Sequence, residues 1–215
     1  MIRRHPTESD IPTALAELAE RSDVLARLVA EHGPYRPRRS PKPDVFDALA
    51  RSIIFQQLAG KAAATIHQRF LAQVGGVATP AAVLATDPDA IRAAGLSRAK
   101  RDAVVDLARH ALTGHLDLTA LDAMEDEALI RHLCAVRGIG PWTAQMFMMF
   151  ELGRLDVWPT GDLAVRKGFG LAFGHPEAPT ARALAPLGDP FRPYRSIVAW
   201  YCWRVVDTQT PSRSG

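Results

Sequence analysis

The fold of this chain is decided by residues 133–150, LCAVRGIGPWTAQMFMMF. Apolar side chains recur at helical spacing over residues 127–136. Gly138 and Gly140 then permit a tight turn, because glycine tolerates positive φ and a close approach of another backbone. Pro141 suits the first position of a second helix, whose N-terminal amides and positive dipole end favour an anion. The stretch therefore predicts a helix, a glycine hairpin and a second helix able to bind phosphate, with an ordinary αα-hairpin as the alternative.

A single acidic residue follows the hairpin in the segment VWPTGDLAVRKGFG, residues 157–170. Asp162 comes directly after Gly161, which makes it a suitable N-cap for a helix reaching Phe169. The same carboxylate is a candidate catalytic group, because a lone acid that follows a phosphate-binding hairpin indicates an enzyme that works on nucleic acid. It is also able to orient or deprotonate a water. Capping and catalysis are compatible, so both roles stay open for Asp162.

The composition is that of a globular protein with a real core. The chain has 215 residues, of which 47% are hydrophobic, and no apolar run reaches the length that a membrane span requires. Cys134 and Cys202 are the only cysteines, and both are expected to stay reduced and buried. Two cysteines are too few for a four-cysteine iron–sulfur cluster, and no cysteine–histidine spacing indicates zinc.

The chain is mildly basic. Its formal net charge of +3 and its pI near 9.1 permit a polyanionic partner without requiring one. Basic residues cluster at three places, namely Arg36, Arg38, Arg39 and Lys42; Arg98, Lys100 and Arg101; and Arg166 and Lys167. Each cluster taken alone is interpreted as solvated surface.

Helical signals recur along the whole chain. Caps and apolar periodicity predict longer helices over about 10–31, 44–58, 61–74, 100–112, 127–136, 142–152, 162–169 and 195–206, with shorter ones from residues 79, 87 and 182. Gly60 is expected to interrupt the second and third of them. No stretch shows sustained period-two alternation with turn signals. The sequence therefore predicts an all-α fold.

Four ordered motifs carry a resemblance to a known family. Residues 136–144, VRGIGPWTA, and 158–162, WPTGD, resemble the helix-hairpin-helix–Gly/Pro–Asp signature of base-excision DNA glycosylases. Residues 51–63, RSIIFQQLAGKAA, and 191–203, FRPYRSIVAWYCW, are similar to two segments of its 3-methyladenine DNA glycosylase II branch, which acts in alkylation repair. The similarity spans about residues 44–207.

The resemblance implies a two-lobed helical fold. A central lobe, residues 45–150, is expected to end in the helix-hairpin-helix. Residues 1–44 and 151–215 are expected to form the second lobe, which carries the catalytic Asp162. The active site is expected in the cleft between the two lobes.

The resemblance also implies a function, which is that of a monofunctional DNA glycosylase. Such an enzyme releases alkylated purines of the 3-methyladenine or 7-methylguanine type in base-excision repair. Trp142 stands where lyase members of the superfamily carry a nucleophilic lysine, and tryptophan cannot form a Schiff base. The alternatives are a bifunctional glycosylase/lyase for another damaged base and a non-catalytic helix-hairpin-helix DNA-binding module.

Further site residues are implied by the same motifs. The expected base pocket comprises Trp142, Met146, Trp203 and Phe55, of which Phe55 departs from the small residue that many relatives carry. The residues expected to intercalate into DNA are Gln57 and Leu58. The residues expected to hold phosphate are Gly138, Gly140 and Thr143. Plain core residues are the alternative for the pocket set, and a buried leucine is the alternative for Leu58.

No cofactor is expected to be required, although the family hairpin often holds Na⁺ or K⁺. The backbone carbonyls of Cys134, Val136 and Ile139 correspond to that cation site. The expected partner is double-stranded DNA containing damaged bases. The protein is expected to be a monomer and not to bind a membrane. The expected location is cytoplasmic, with the nucleoid if the protein is bacterial.

Overall fold

The computed structural model describes residues 8–36 and 44–209, and these residues form helices and loops without a strand. Their twelve α-helices are α1 Ile11–Arg21, α2 Asp23–His32, α3 Val45–Phe55, α4 Gly60–Gln73, α5 Pro80–Ala85, α6 Pro88–Ala93, α7 Arg98–Leu112, α8 Asp126–Cys134, α9 Pro141–Phe150, α10 Leu163–Ala172, α11 Ala181–Leu187 and α12 Arg195–Gln209. The predicted all-α fold is confirmed. No helix in the described part of the chain is long and apolar enough to cross a membrane.

Most helices begin where a polar side chain can cap them. The side chains that accept a hydrogen bond from an amide of the first turn belong to Ser22, Asp44, Thr79, Asp87, Ser97, Asp162 and Thr180. Each such cap contributes about 1 kcal/mol relative to alanine. These caps are the reason that most helix starts are readable from the sequence.

Two helix predictions are wrong in detail. The single helix predicted over 10–31 is divided, because Ser22 adopts an extended conformation and its side chain caps α2 through the N–H of Leu25. Gly60 does not interrupt a helix but begins α4, and the interruption is the turn Gln56–Ala59. We call these four residues the α3–α4 turn. Of the basic cluster predicted before α3, only Arg36 lies within the described residues.

The chain divides into two compact units, Met1–Arg39 with Met148–Gly215, and Ser40–Phe147. The predicted lobe boundaries at 45 and 150 differ from these limits by a few residues at each end.

The unit Ser40–Phe147 is built around α3, α4 and α7. Its fully buried side chains include Phe46, Leu49, Ile53, Phe70 and Leu107. The glycine hairpin between α8 and α9 packs closely on α7 in this unit. A Cβ at Gly138 would lie only 2.8 Å from Cβ of Ala103 on α7.

The unit that contains Asp162 is centred on the packing of α10 against α12. A Cβ on Gly168 of α10 would lie only 2.0 Å from the carbonyl oxygen of Cys202 on α12, so the two backbones touch there. Tyr201 also ties α12 to the end of α2, since its hydroxyl donates to the Gly33 carbonyl at 2.9 Å. Burial raises the pKa of the Cys202 thiol, and Cys134 is partly rather than fully buried, which departs from the prediction.

Candidate functional site

Asp162 lies at the start of α10, directly after a tight turn. Its N–H donates to the Pro159 carbonyl at 2.9 Å. Its side-chain Oδ1 accepts from the N–H of Val165 at 2.9 Å, which is the bond of a helix N-cap. The predicted capping role is confirmed. The helix start holds the carboxylate in one orientation and keeps it half-buried.

Trp203 supplies a second restraint on the same oxygen. Its indole Nε1–H donates to Asp162 Oδ1 at 3.3 Å. The ring of Trp203 is stacked on that of Phe150, with the centroids 5.7 Å apart and the planes inclined by 29°. Trp203 therefore contacts the candidate catalytic carboxylate directly, a contact that the predicted pocket role did not include.

The loop that leads to Asp162 is held by the first turn of α12. Arg195 donates to both carboxylate oxygens of Asp156, at 2.7 and 3.0 Å. The buried hydroxyl of Ser196 donates to the Arg154 carbonyl at 2.7 Å and accepts from the N–H of Val157 at 2.9 Å. Arg195 and Ser196 lie in the motif of residues 191–203, whose resemblance implies no role for either of them. The structure shows that they fix the backbone just before the Trp158–Asp162 turn.

The hairpin between α8 and α9 places its two glycines in different circumstances. Gly138 has φ +81°, and a side chain there would collide with Ala103. Gly140 has no left-handed φ, and a Cβ there would meet nothing within 4 Å. The fold itself therefore requires glycine at 138 but not at 140. The Arg137 N–H, also in the hairpin, donates to Asp106 Oδ2 on α7 at 2.8 Å.

Thr143 lies in the first turn of α9 and is buried. Only 5% of it is exposed, and its hydroxyl oxygen accepts from Gln56 Nε2 at 3.0 Å. Gln56 Nε2 also donates to the carbonyl of Gly138 at 2.9 Å. Thr143 therefore helps to hold the hairpin to the α3–α4 turn. Its hydroxyl accepts this bond and keeps its own proton, so the contact with phosphate stays a prediction.

The α3–α4 turn presents the two residues expected to intercalate. Among the described residues, Gln57 alone combines a side chain with a positive φ, of 57°. Leu58 is 39% exposed, so the alternative of a buried leucine is wrong. Strained backbone conformations persist only where the surroundings hold them, and they cluster at functional sites. The assignment of Gln57 or Leu58 as the wedge stays a prediction.

Lys100 is the basic residue that holds this turn. Its Nζ donates to the carbonyls of Ile54 and Gln56, at 2.8 and 2.6 Å. Burial lowers the pKa of Lys100 from its usual value. The interpretation of its cluster as solvated surface is therefore wrong for Lys100.

The remaining pocket candidates lie in the unit that contains the hairpin. Trp142 is 45% exposed, so it is not a core residue there, and Met146 on the same helix is half-buried. Phe55 is half-buried beneath Arg51, whose guanidinium carbon lies 4.4 Å from the ring centroid. The pocket roles of these side chains stay predictions.

The carbonyls expected to hold a monovalent cation lie at the end of α8 and in the hairpin. The carbonyl of Val136 accepts from the N–H of Ile139 at 3.1 Å, and a carbonyl oxygen keeps a second lone pair after one such bond. Cys134 is the last residue of α8, where helix carbonyls lack intrahelical donors. This oxygen-only donor set fits an alkali cation. Within the described ranges, no cluster of three or more histidine, cysteine or acidic side chains is arranged for a metal ion.

Known proteins resemble this chain in sequence. Residues 50–191 match the model of the HhH-GPD superfamily of base excision DNA repair proteins. The chain is 34% identical over 183 residues to DNA-3-methyladenine glycosylase 1 of Schizosaccharomyces pombe, covering 83% of this chain and 80% of that protein.

Two solved structures resemble the whole fold. The S. pombe 3-methyladenine DNA glycosylase in complex with abasic DNA has a TM-score of 0.79 and 32% identity, covering 89% of this chain and 95% of that one. A DNA-3-methyladenine glycosidase of Bacillus halodurans has a TM-score of 0.81 and 33% identity, and the match covers 95% of this chain and 93% of that one.

Proposed function

The chain belongs to the HhH-GPD superfamily of base excision DNA repair proteins, and on that premise we propose that it hydrolyses the N-glycosidic bond of alkylated purines in double-stranded DNA. The observation that carries this proposal is the restraint on Asp162. Its Oδ1 accepts from a backbone amide of α10 and from the indole of Trp203. A carboxylate held from two directions is a preorganised negative charge, which stabilises a cationic transition state without reorganisation.

The chemistry needs little more than this charge. When the glycosidic bond breaks, electrons leave with the base and positive charge builds on the deoxyribose. Asp162 stabilises that charge and orients the water that attacks the sugar, leaving an abasic site. A purine alkylated at N3 or N7 is already cationic, so it departs without a strong general acid. We therefore infer substrates of the 3-methyladenine and 7-methylguanine type.

The same reasoning favours hydrolysis without strand cleavage. A lyase reaction needs an amine nucleophile that forms a Schiff base with the sugar. Trp142 occupies the position of the lyase lysine in the motif, and it offers no amine. The product would be an intact strand that carries an abasic site.

The hairpin would hold the DNA through its backbone. Gly140 has open space where a side chain would stand and no left-handed φ, so neither steric contact nor backbone conformation requires a glycine there. A phosphate that approaches the hairpin amides does account for it, because the approach requires a bare backbone. A monovalent cation on the carbonyls of Val136 and its neighbours would add positive charge near the phosphate. We propose that the protein is cytoplasmic, and associated with the nucleoid if it is bacterial.

Replacement of Asp162 by asparagine tests the proposal. Because asparagine lacks the charge, we expect Asp162→Asn to lower single-turnover release of 7-methylguanine from duplex DNA by at least about a hundredfold. Binding to the damaged duplex should stay near the wild-type level, as measured by fluorescence anisotropy. Near-normal release by the folded variant would remove the assignment of Asp162.

A further inference from the structure

The α3–α4 turn is poorly supported by its own backbone. Two of its amides donate back to α3, from the N–H of Gln56 to the Ile53 carbonyl and from the N–H of Leu58 to the Phe55 carbonyl, and both bonds are 3.4 Å long. Gln57 adds a left-handed conformation that a residue with a side chain rarely adopts. A turn with such long backbone hydrogen bonds and a strained residue needs contacts from elsewhere to keep one shape.

Lys100 supplies the first of these contacts. Its ammonium donates to the carbonyls of Ile54 and Gln56, on either side of the point where α3 ends. A cation at a helix C-terminus satisfies carbonyls that lack intrahelical donors and opposes the negative end of the dipole. Lys100 lies on α7, which packs against α3. It therefore anchors the turn to a core helix.

The Gln56 side chain supplies the second contact. Its Nε2 donates to the Gly138 carbonyl at 2.9 Å and to the Thr143 hydroxyl at 3.0 Å. One acceptor lies in the hairpin turn and the other in the first helical turn of α9. A single amide nitrogen thus joins the α3–α4 turn to both sides of the glycine hairpin, more than eighty residues away in sequence.

We propose that Gln56 and Lys100 are positioning residues that hold the α3–α4 turn at a fixed distance from the phosphate-binding hairpin. Docking of the hairpin on the DNA backbone then drives the side chains of Gln57 and Leu58 into the base stack as one rigid movement. This inference rests on the proposed function, because it assigns the two residues to base extrusion. It concerns opening of the duplex rather than cleavage of the glycosidic bond.

The proposal predicts a defect that depends on the DNA. Extrusion is costly for a base in an intact pair and much cheaper for one without a partner. A loosened turn should therefore slow the release of a paired lesion far more than that of an unpaired one. A residue that merely stabilises the fold should affect both substrates alike.

The test compares single-turnover release of 7-methylguanine opposite cytosine with release opposite a tetrahydrofuran abasic analogue. Gln56→Glu keeps the size of the side chain and removes the donor, and Lys100→Met keeps the length and removes the charge. We expect each to slow the paired lesion by about tenfold and the unpaired one by less than about twofold. Lys100→Arg, which keeps donors for both carbonyls, should restore most of the paired-lesion rate. Gln68→Glu, an exposed glutamine on α4, serves as the matched control.

A second readout observes extrusion without chemistry. In the Asp162→Asn background, 2-aminopurine beside the lesion should brighten when the base is extruded, and Gln56→Glu should reduce that increase. Equal slowing of both substrates, or no slowing of either, would overturn the positioning role. Failure of the wild-type enzyme to release base from either duplex would instead refute the proposed function.

Discussion

Gly168 offers a direct way to displace the catalytic carboxylate without touching it. A Cβ at this position would lie 2.0 Å from the carbonyl oxygen of Cys202 and 2.7 Å from its Cα. These atoms are backbone, so no side-chain rotation relieves the clash. In Gly168→Ala, α10 must therefore move away from α12 by about 1 Å, the difference between 2.0 Å and the shortest tolerated contact of about 3 Å. Asp162 caps α10 and has to move with it.

Two effects set the size of the loss. Overpacking costs about 1–3 kcal/mol, against a gain of about 1 kcal/mol for replacing glycine by alanine within a helix. At about 2–4 °C per kcal/mol for a chain of this length, we expect the melting temperature of Gly168→Ala to fall by several degrees. A displacement of about 1 Å of the carboxylate is expected to slow base release by about a hundredfold.

Gly170 provides the matched control on the same helix. Its Cβ would lie 3.3 Å from Ala178, a distance that a small adjustment relieves. Gly170→Ala gains the same helix propensity, and its two backbone contacts at 3.3 Å, with Ala178 and Glu177, offset part of that gain. Its melting temperature and its rate of base release should therefore stay near the wild-type values. Both variants should be followed by circular dichroism and by single-turnover release of 7-methylguanine. If Gly168→Ala releases base as fast as Gly170→Ala, the argument that α10–α12 packing places Asp162 is refuted.

Three further predictions follow from single contacts. Trp203→Phe keeps an aromatic ring against Phe150 but removes the N–H bond to Asp162. The rate of base release should fall by about fivefold, as expected for a long hydrogen bond worth about 1 kcal/mol. An unchanged rate would contradict a role for this bond. Gly140→Ala should have the melting temperature of the wild type yet bind damaged and undamaged duplex about tenfold more weakly, as measured by fluorescence anisotropy, with the salt dependence of a phosphate contact. Normal affinity would exclude the explanation that Gly140 leaves its backbone open to phosphate. Borohydride should trap no covalent adduct on abasic DNA, since Trp142 offers no amine, and a trapped adduct on a denaturing gel would overturn the monofunctional assignment.

Local chemistry made much of this fold predictable. The capping of α10 by Asp162 and the start of α9 at Pro141 both depend on residues adjacent in sequence, and both predictions are confirmed. The break at Ser22 was missed because the apolar pattern of α1 continues into α2 in register. Only the extended backbone of Ser22 shows that two helices meet there.

The contacts that organise the site were not predictable, because they join distant residues. Gln56 reaches the hairpin across 82 residues, and Trp203 reaches Asp162 across 41. Neither pairing leaves a periodic or capping signal in one sequence. Membership of a motif does not reveal a residue's role either, since Ser196 lies in the motif of residues 191–203 and acts by holding the backbone near Val157.

The two duties of Asp162 call for two substitutions. Asparagine is about as good an N-cap as aspartate, whereas alanine loses about 1 kcal/mol at that position. Asp162→Asn should therefore keep its melting temperature and lose base release, while Asp162→Ala should lose both. Thermal unfolding of the two variants separates the cap from the charge. If Asp162→Asn melts as low as Asp162→Ala, its lost activity reports a displaced helix, and the charge of the carboxylate has not been isolated as the source of catalysis.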